Sequence, residues 1–172
     1  MWIFGYGSLM TDGWEESYGC AQRAVAELHG YRRAFNKASV ANWGTLGCPC
    51  PTLNLEFSAD ALCVGIAFEF PEMRRAEVEA YLAKREGKGF VLSEREIILQ
   101  SAGAASASVS IYTGKNILPS ATPQELVSCI KQARGTSGAC ADYVEGVHSQ
   151  LALLGIDDPA VTHLQDLLRT VP

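Results

Sequence analysis

At 172 residues, with 48% apolar and 19% charged side chains, the chain has the material for one domain with a sizeable core. A net charge of −5 argues against a nucleic-acid-binding protein, whose electrostatic footprint is basic. No apolar run approaches the roughly 20 residues that span a bilayer, and the apolar run at residues 2–4 is too brief for a signal peptide, so the expectation is a cytoplasmic protein with no membrane partner.

The β-prone run Trp2-Ile3-Phe4 breaks at once into Gly5-Tyr6-Gly7-Ser8-Leu9-Met10. Two glycines flanking a tyrosine allow backbone angles that other residues resist. Such a turn can aim successive N–H groups into one concavity that suits an anion or a developing oxyanion. The same residues serve equally for a plain tight turn with Tyr6 packed in the core. The third glycine of a dinucleotide fingerprint is absent, and so is the Gly-Lys-Ser/Thr of a phosphate loop.

Residues 11–24 read as an irregular segment with Trp14 as a packing anchor. Residues 24–28 read as a strand ended by His29-Gly30, and residues 31–40 as a further strand. Residues 42–52 read as a loop, because Gly44, Gly47, Pro49 and Pro51 disfavour regular structure, and with Trp43 this loop is long enough to line a site. Residues 53–57 and 61–70 alternate as strands and suggest a hairpin across Ser58-Ala59-Asp60. A helix is predicted from Pro71 to about Lys84, with Val78, Tyr81 and Leu82 on one face, broken over residues 85–89.

Strands are predicted over residues 90–100 and 109–112. A helix begins at Pro123 with Thr122 as its N-cap. Residues 135–138 interrupt, a helix over 142–154 is capped by Gly155, and a last helix follows Asp157-Asp158-Pro159 with Val161, Leu164, Leu167 and Leu168 on its apolar face. This order lacks the regular strand–helix alternation of a doubly wound sheet. It predicts an α+β fold, a small mixed or antiparallel β-barrel with surrounding helices, in a single domain over residues 1–172.

The cysteines are Cys20, Cys48, Cys50, Cys63, Cys129 and Cys140. Without an export signal they read as free thiols in a reducing compartment, Cys63 as a small core residue. Only Cys48-Pro49-Cys50 forms a close pair, and His29, His148 and His163 stand alone, so no metal site is expected.

Glu86 is the acidic residue to single out. It stands past an amphipathic helix, among glycines and the basic Arg85 and Lys88. It is either one more solvated charge or a partly desolvated carboxyl able to shuttle a proton. Glu77, nine residues earlier, falls on the opposite side of a continuous helix and reads as a solvated charge. Ser8 lacks the spacing of a nucleophile elbow, and no histidine has the context of a base.

Taken in order, Phe4-Gly5-Tyr6-Gly7-Ser8-Leu9-Met10, Gly30-Tyr31-Arg32-Arg33-Ala34-Phe35, the run from Glu77 to Phe90 containing Tyr81-Leu82-Ala83-Lys84-Arg85-Glu86-Gly87, Ile111-Tyr112-Thr113-Gly114, Gly135-Thr136-Ser137-Gly138 and Asp142-Tyr143-Val144 resemble the γ-glutamylcyclotransferase superfamily, most closely its ChaC-like branch. The resemblance implies a small barrel with helices and an enzyme that cleaves a γ-glutamyl amide by cyclisation to 5-oxoproline. In ChaC-like members the substrate is glutathione and the second product cysteinylglycine. It implies Glu86 as the catalytic carboxyl, Tyr6, Gly7, Ser8 and Leu9 as the substrate-binding loop, and Tyr143 and Glu77 near the pocket. It calls for no metal or organic cofactor, and a small γ-glutamyl molecule is the partner.

One departure stands out. Family members usually carry His-Arg-Gly and a later arginine in the loop after the second strand, where this chain has Asn42-Trp43-Gly44 and then Cys50-Pro51-Thr52. Other γ-glutamyl amino acids or amines therefore stand as alternative substrates, and a non-catalytic γ-glutamyl-binding module as the alternative to an enzyme. The sequence leaves the oligomeric state open.

Overall fold

The computed structural model describes residues 1–118 and 121–170. The chain forms two compact units. The first comprises residues 1–32 and 55–114, the second residues 33–54 and 115–172.

In the first unit, β1 (Trp2–Gly5), β2 (Gln22–Ser39), β3 (Cys50–Glu69), β4 (Phe90–Leu99) and β5 (Gly103–Tyr112) build a closed barrel in the order β1-β3-β2-β4-β5. The tips of β2 and β3, residues 33–39 and 50–54, belong to the second unit. The barrel is mixed. β1 runs antiparallel to β3, with Phe4 opposite Ala67, and parallel to β5, with Trp2 opposite Ala107 and Phe4 opposite Val109. β4 and β5 form a ten-pair antiparallel hairpin in which Leu92 faces Ser110. Ile3, Phe4, Ile66, Phe68, Ile97 and Val109 are buried in this core. β1 and β3 approach so closely that a Cβ on Gly65 would stand 2.3 Å from the Gly5 carbonyl oxygen.

Two sequence expectations fail here. The hairpin over residues 53–70 does not form, and β3 is one continuous strand. Ser58-Ala59-Asp60 supplies no residue with the positive φ that a tight two-residue hairpin turn needs, and all positive-φ residues among those described are glycines. Likewise β2 does not end at His29-Gly30. Gly30, at φ 77°, takes a conformation open to a residue without Cβ, and the strand runs on. Pro51 is second in β3, where a missing N–H is tolerated. The segment over residues 11–24 contains a 3-10 helix, Trp14–Tyr18, and the strand expected over residues 109–112 begins earlier, at Gly103, as β5.

The helix α1 (Arg75–Glu86) follows a 3-10 turn at Glu72–Arg74 and buries Val78 and Leu82, at the helical spacing read from the sequence. Gly87 ends it with φ 77° and an N–H bonded to the Ala83 carbonyl.

The second unit holds α2 (Pro123–Gln132), the short pair β6 (Arg134–Gly135) and β7 (Gly138–Ala139), α3 (Cys140–Leu153) and α4 (Pro159–Thr170). Thr122 caps α2 in a reciprocal capping box with Glu125. The two bonds from Thr122, the backbone N–H first and then the hydroxyl, lower the Glu125 pKa. Val127, Ile130, Val144, Val147, Leu151, Val161 and Leu164 form the core of this unit. Arg33 is fully buried and donates to Asp158 at 2.8 Å. The other oxygen of Asp158 caps α4, accepting from the N–H groups of Ala160 and Val161. One carboxylate thus neutralises a buried cation and starts a helix.

The expectation of six free thiols also fails. Cys50 and Cys140, 90 positions apart, form a disulfide with their Cα atoms 5.6 Å apart, while Cys20, Cys48, Cys63 and Cys129 stay reduced. Spacing along the chain gave no sign of this bond, because the partner of Cys50 is in another element and not at Cys48. Cys63 is buried, as read. Among the described residues no helix is long and apolar enough to cross a membrane.

Candidate active site

Helical geometry dictates which side chains accompany Glu86. Residues seven, four and three positions before it lie on the same face. These are Glu79, Leu82 and Ala83. Together with Phe90 and Leu92, which alternate onto one face of β4, and Ser110 from the register partner of Leu92, they line a cavity of about 220 Å³. Glu86 is the last residue of α1 rather than a residue beyond it, and it is half-buried. Glu86 therefore lines a cavity whose other walls are largely apolar side chains.

The glycine turn is tied to the same place. Tyr6 is buried, and its hydroxyl donates to the backbone carbonyl of Ser110 at 2.9 Å. After Gly7 the chain enters a 3-10 turn at Ser8–Met10, closed by the Met10 N–H on the Gly7 carbonyl at 3.0 Å. The opening N–H groups of a helical turn have no acceptor within it. Leu9 is buried, and its carbonyl accepts from the Trp14 indole at 3.0 Å.

Arg85 joins this turn to α1. Its guanidinium donates to the Ser8 hydroxyl at 3.2 Å and the Tyr81 hydroxyl at 2.9 Å, and pairs with Asp12 at 2.5 Å. Burial alone pulls its pKa down, but the bonds to Tyr81 and Asp12 outweigh that and the net shift is upward. Trp14 stacks on Tyr81 at 5.3 Å and 14°, with Tyr18 against the same ring at 4.8 Å. The end of α1 is thus held to the turn by a charged clamp and an aromatic stack.

The structure brings Glu86 and Tyr6 together through Ser110, and Ser8 to the residue beside Glu86. It does not bring Glu77 to the cavity. Glu77 is exposed on the opposite face and pairs with Arg74 at 2.6 Å. The carboxylate that joins Glu86 is Glu79, which accepts from Arg75 at 3.3 Å. Tyr143 lies on α3 in the second unit, half-buried, where its hydroxyl accepts from the Leu53 N–H at 3.0 Å and its ring lies 5.5 Å from Trp43. Among the described residues no group of three or more His, Cys, Asp or Glu is placed to hold a metal ion.

Sequence reasoning missed Glu79, Arg85, Tyr81 and Ser110. The seven-residue spacing would have found Glu79. Ser110 required the β4–β5 register, which the sequence does not reveal.

A carboxyl at an apolar-walled cavity beside a glycine turn is what the γ-glutamylcyclotransferase resemblance requires, and a family model described as ChaC-like protein matches residues 1–172. The chain belongs to the ChaC-like family. Two curated relatives span nearly all of it. It is 29% identical over 181 residues to γ-glutamylcyclotransferase 2-3 of Arabidopsis thaliana, covering 99% of this chain and 89% of that one. It is 27% identical over 176 residues to glutathione-specific γ-glutamylcyclotransferase 1 of Danio rerio, covering 98% of this chain and 88% of that one. The fold matches the crystal structure of a yeast γ-glutamyl cyclotransferase specific to glutathione with a TM-score of 0.84 at 22% identity, covering 98% of this chain and 95% of the yeast one. This ChaC-like chain therefore has the γ-glutamylcyclotransferase fold, and it is an enzyme of that type.

Proposed function

We propose that the protein cleaves glutathione into 5-oxoproline and cysteinylglycine, with Glu86 as the proton carrier. The observation that carries this reading is that Glu86 and Ser110 line one cavity, and the Ser110 carbonyl is fixed by Tyr6 of the glycine turn. The glutathione-specific relatives support the choice of substrate.

The reaction is an intramolecular acyl transfer. The substrate α-amine, protonated in water, gives a proton to Glu86 and attacks its own γ-carbonyl. The five-membered ring closes readily because both reacting groups belong to one molecule. The carbonyl oxygen gains negative charge, which the N–H groups of the Gly7–Leu9 turn are suited to hold. The C–N bond to the leaving group then breaks as Glu86 gives its proton to the departing nitrogen, and the second proton that the ring nitrogen must lose passes through the same carboxyl to that amine, which leaves as an ammonium. The carboxyl ends as it began, and the chemistry uses no redox or metal step. Glu79 replaces Glu77 as the second acidic residue of the site, and Tyr143 is assigned to substrate binding by family likeness. The cytosol, which holds the glutathione pool, is the proposed compartment.

A second reading concerns the leaving group. The described residues lining the cavity include two carboxylates and no Lys or Arg, so a terminal carboxylate on the substrate finds no cation among them. This favours γ-glutamyl amines as competing substrates. Incubation with glutathione, γ-glutamyl amino acids and γ-glutamyl amines, scoring 5-oxoproline, ranks the candidates. Formation of 5-oxoproline by the wild type and its loss in Glu86→Gln supports the assignment, and a fully active Gln variant overturns it.

A further inference from the structure

We propose that Arg85 is a positioning residue of the reaction, which seats the turn at residues 7–9 against the end of α1 and aims the Ser8 hydroxyl as a further donor to the developing charge. The kinetic consequence rests on the cyclotransferase reading, whereas the contacts of Arg85 all lie within the first unit and stand by themselves.

Arg85 directly precedes Glu86 in the last turn of α1, so whatever fixes its guanidinium fixes how that turn is rotated and where Glu86 is presented. The side chain is only 19% exposed, and two of its nitrogens serve three acceptors. One donates to the Tyr81 hydroxyl at 2.9 Å and pairs with Asp12 at 2.5 Å. The other donates to the Ser8 hydroxyl at 3.2 Å, from 77 positions away in the chain. Tyr81 is one turn back on the same helix. Ser8 opens the 3-10 turn Ser8–Met10, and Asp12 stands two residues past its end. One fork thus spans from the helix to both ends of the turn.

The turn keeps its own shape by other means. The Gly7 carbonyl accepts from the Met10 N–H, and the Leu9 carbonyl from the Trp14 indole. The Met10 carbonyl accepts from Arg23, whose guanidinium pairs with the buried Glu15. The N–H groups of Ser8 and Leu9 precede the first internal bond of the turn and have no acceptor within it. Removing Arg85 therefore leaves the turn folded and takes away its charged link to the last turn of α1.

A guanidinium carries donors and no acceptor. In its contact with Arg85 the Ser8 oxygen accepts, so the hydroxyl hydrogen is turned to a different acceptor. Ser8 is exposed while Tyr6, Leu9 and Met10 are buried, so its hydroxyl is presented outward from the turn. A hydroxyl that accepts from a cation is a stronger donor, because hydrogen bonds in a chain polarise one another. Beside the turn N–H groups it adds to the stabilisation of the γ-carbonyl oxygen as that atom gains charge. The charge belongs to the transition state, so loss of Arg85 falls on kcat and leaves ground-state binding in place. Lysine is no substitute, because its ammonium is a point charge and not a fork that spans Ser8 and Asp12.

The test compares the full-chain wild type with Arg85→Met, Arg85→Lys, Ser8→Ala and the double variant Arg85→Met/Ser8→Ala, scoring 5-oxoproline from glutathione. Arg85→Met should lower kcat about 10²-fold, the scale of one lost oxyanion donor, with KM within about threefold. Arg85→Lys should stay at least about tenfold below wild type in kcat. Ser8→Ala should lose about as much as Arg85→Met, and the double variant should fall less than about threefold below either, because the two side chains act as one unit. In the Glu86→Gln background, Arg85→Met should bind glutathione within about threefold of its parent by calorimetry. Amide resonances of Ser8 and Leu9 should shift in Arg85→Met while those of β4 and β5 hold, a readout independent of turnover. Losses that multiply in the double variant, a change confined to KM, full activity of Arg85→Lys, or unmoved Ser8 and Leu9 resonances each overturn the proposal. So does an Arg85→Met protein unfolded at the assay temperature, since the turn would then depend on Arg85 for its shape. Absence of 5-oxoproline from every γ-glutamyl substrate with the wild type overturns the cyclotransferase reading instead, and leaves the resonances to judge Arg85.

Discussion

Of the seven described residues that line the cavity at Glu86, four come from one face of a single helix, whereas the contact at Tyr143 stands beside a covalent bond between residues 90 positions apart. The first is built from neighbours in sequence and inherits its geometry from the helical repeat. The second is assembled from an irregular loop, a strand tip and a helix start, and covalent chemistry fixes its register. A site of the first kind has rigid backbone under its reactive group. A contact of the second kind depends on the covalent bond beside it.

The sharpest way to expose this contrast is to remove function without structure in one region and structure without chemistry in the other. Glu86→Gln should lower kcat by about 10²- to 10⁴-fold, the range of a lost general acid–base, with an unchanged far-UV spectrum and melting temperature. Asp158→Ala removes the partner of the fully buried Arg33 and the cap of α4 together. It should destabilise by about 3–5 kcal/mol in denaturant unfolding. Cys140→Ser should destabilise by about 2–4 kcal/mol, because the unfolded chain regains the freedom that a long closed loop denies it. Were that variant as stable as the wild type, the second region would not depend on its cross-link and the contrast would collapse.

Smaller effects test the periphery. Thr122→Ala should cost about 1 kcal/mol through the lost cap of α2. Its partner Glu125 has a folded pKa below the ordinary value, so that contribution is present above the unfolded pKa and disappears as pH falls through the folded one. An acid titration of stability should therefore be shallower in the variant. Glu77→Gln, on the solvent face of α1, should leave KM and kcat within about twofold, since exposed pairs contribute little. A large loss would return Glu77 to the site.

The same contrast governs what the sequence made legible. The buried face of α1, the capping of α2 and the α+β barrel class were readable from local pattern and element order, whereas α1 runs from Arg75 to Glu86 and not from Pro71 to Lys84. Glu77 was drawn to the pocket by family likeness, although its own spacing already placed it opposite Glu86. The continuity of β2 and β3 was hidden because His29-Gly30 and Ser58-Ala59-Asp60 look like chain breaks, and only closure of the barrel overrides them. The disulfide was hidden because nothing in the order of residues says that β3 begins beside the start of α3. Ser110 entered the site through strand register, which hydrophobic alternation narrows to a face but not to a residue.

β1 has one further bearing, on synthesis. It carries the glycine turn, yet its backbone partners are the distant β3 and, in parallel, residues 107–109 of β5. The ribosome makes this strand before either neighbour, and β5 well after β3, so its place in the barrel is completed only once residues 107–109 have emerged. Slow, late maturation follows from such long-range pairing. Stalled translation before residue 107 would leave β1 able to pair with β3 but with neither its parallel neighbour nor the Ser110 carbonyl to which the Tyr6 hydroxyl donates.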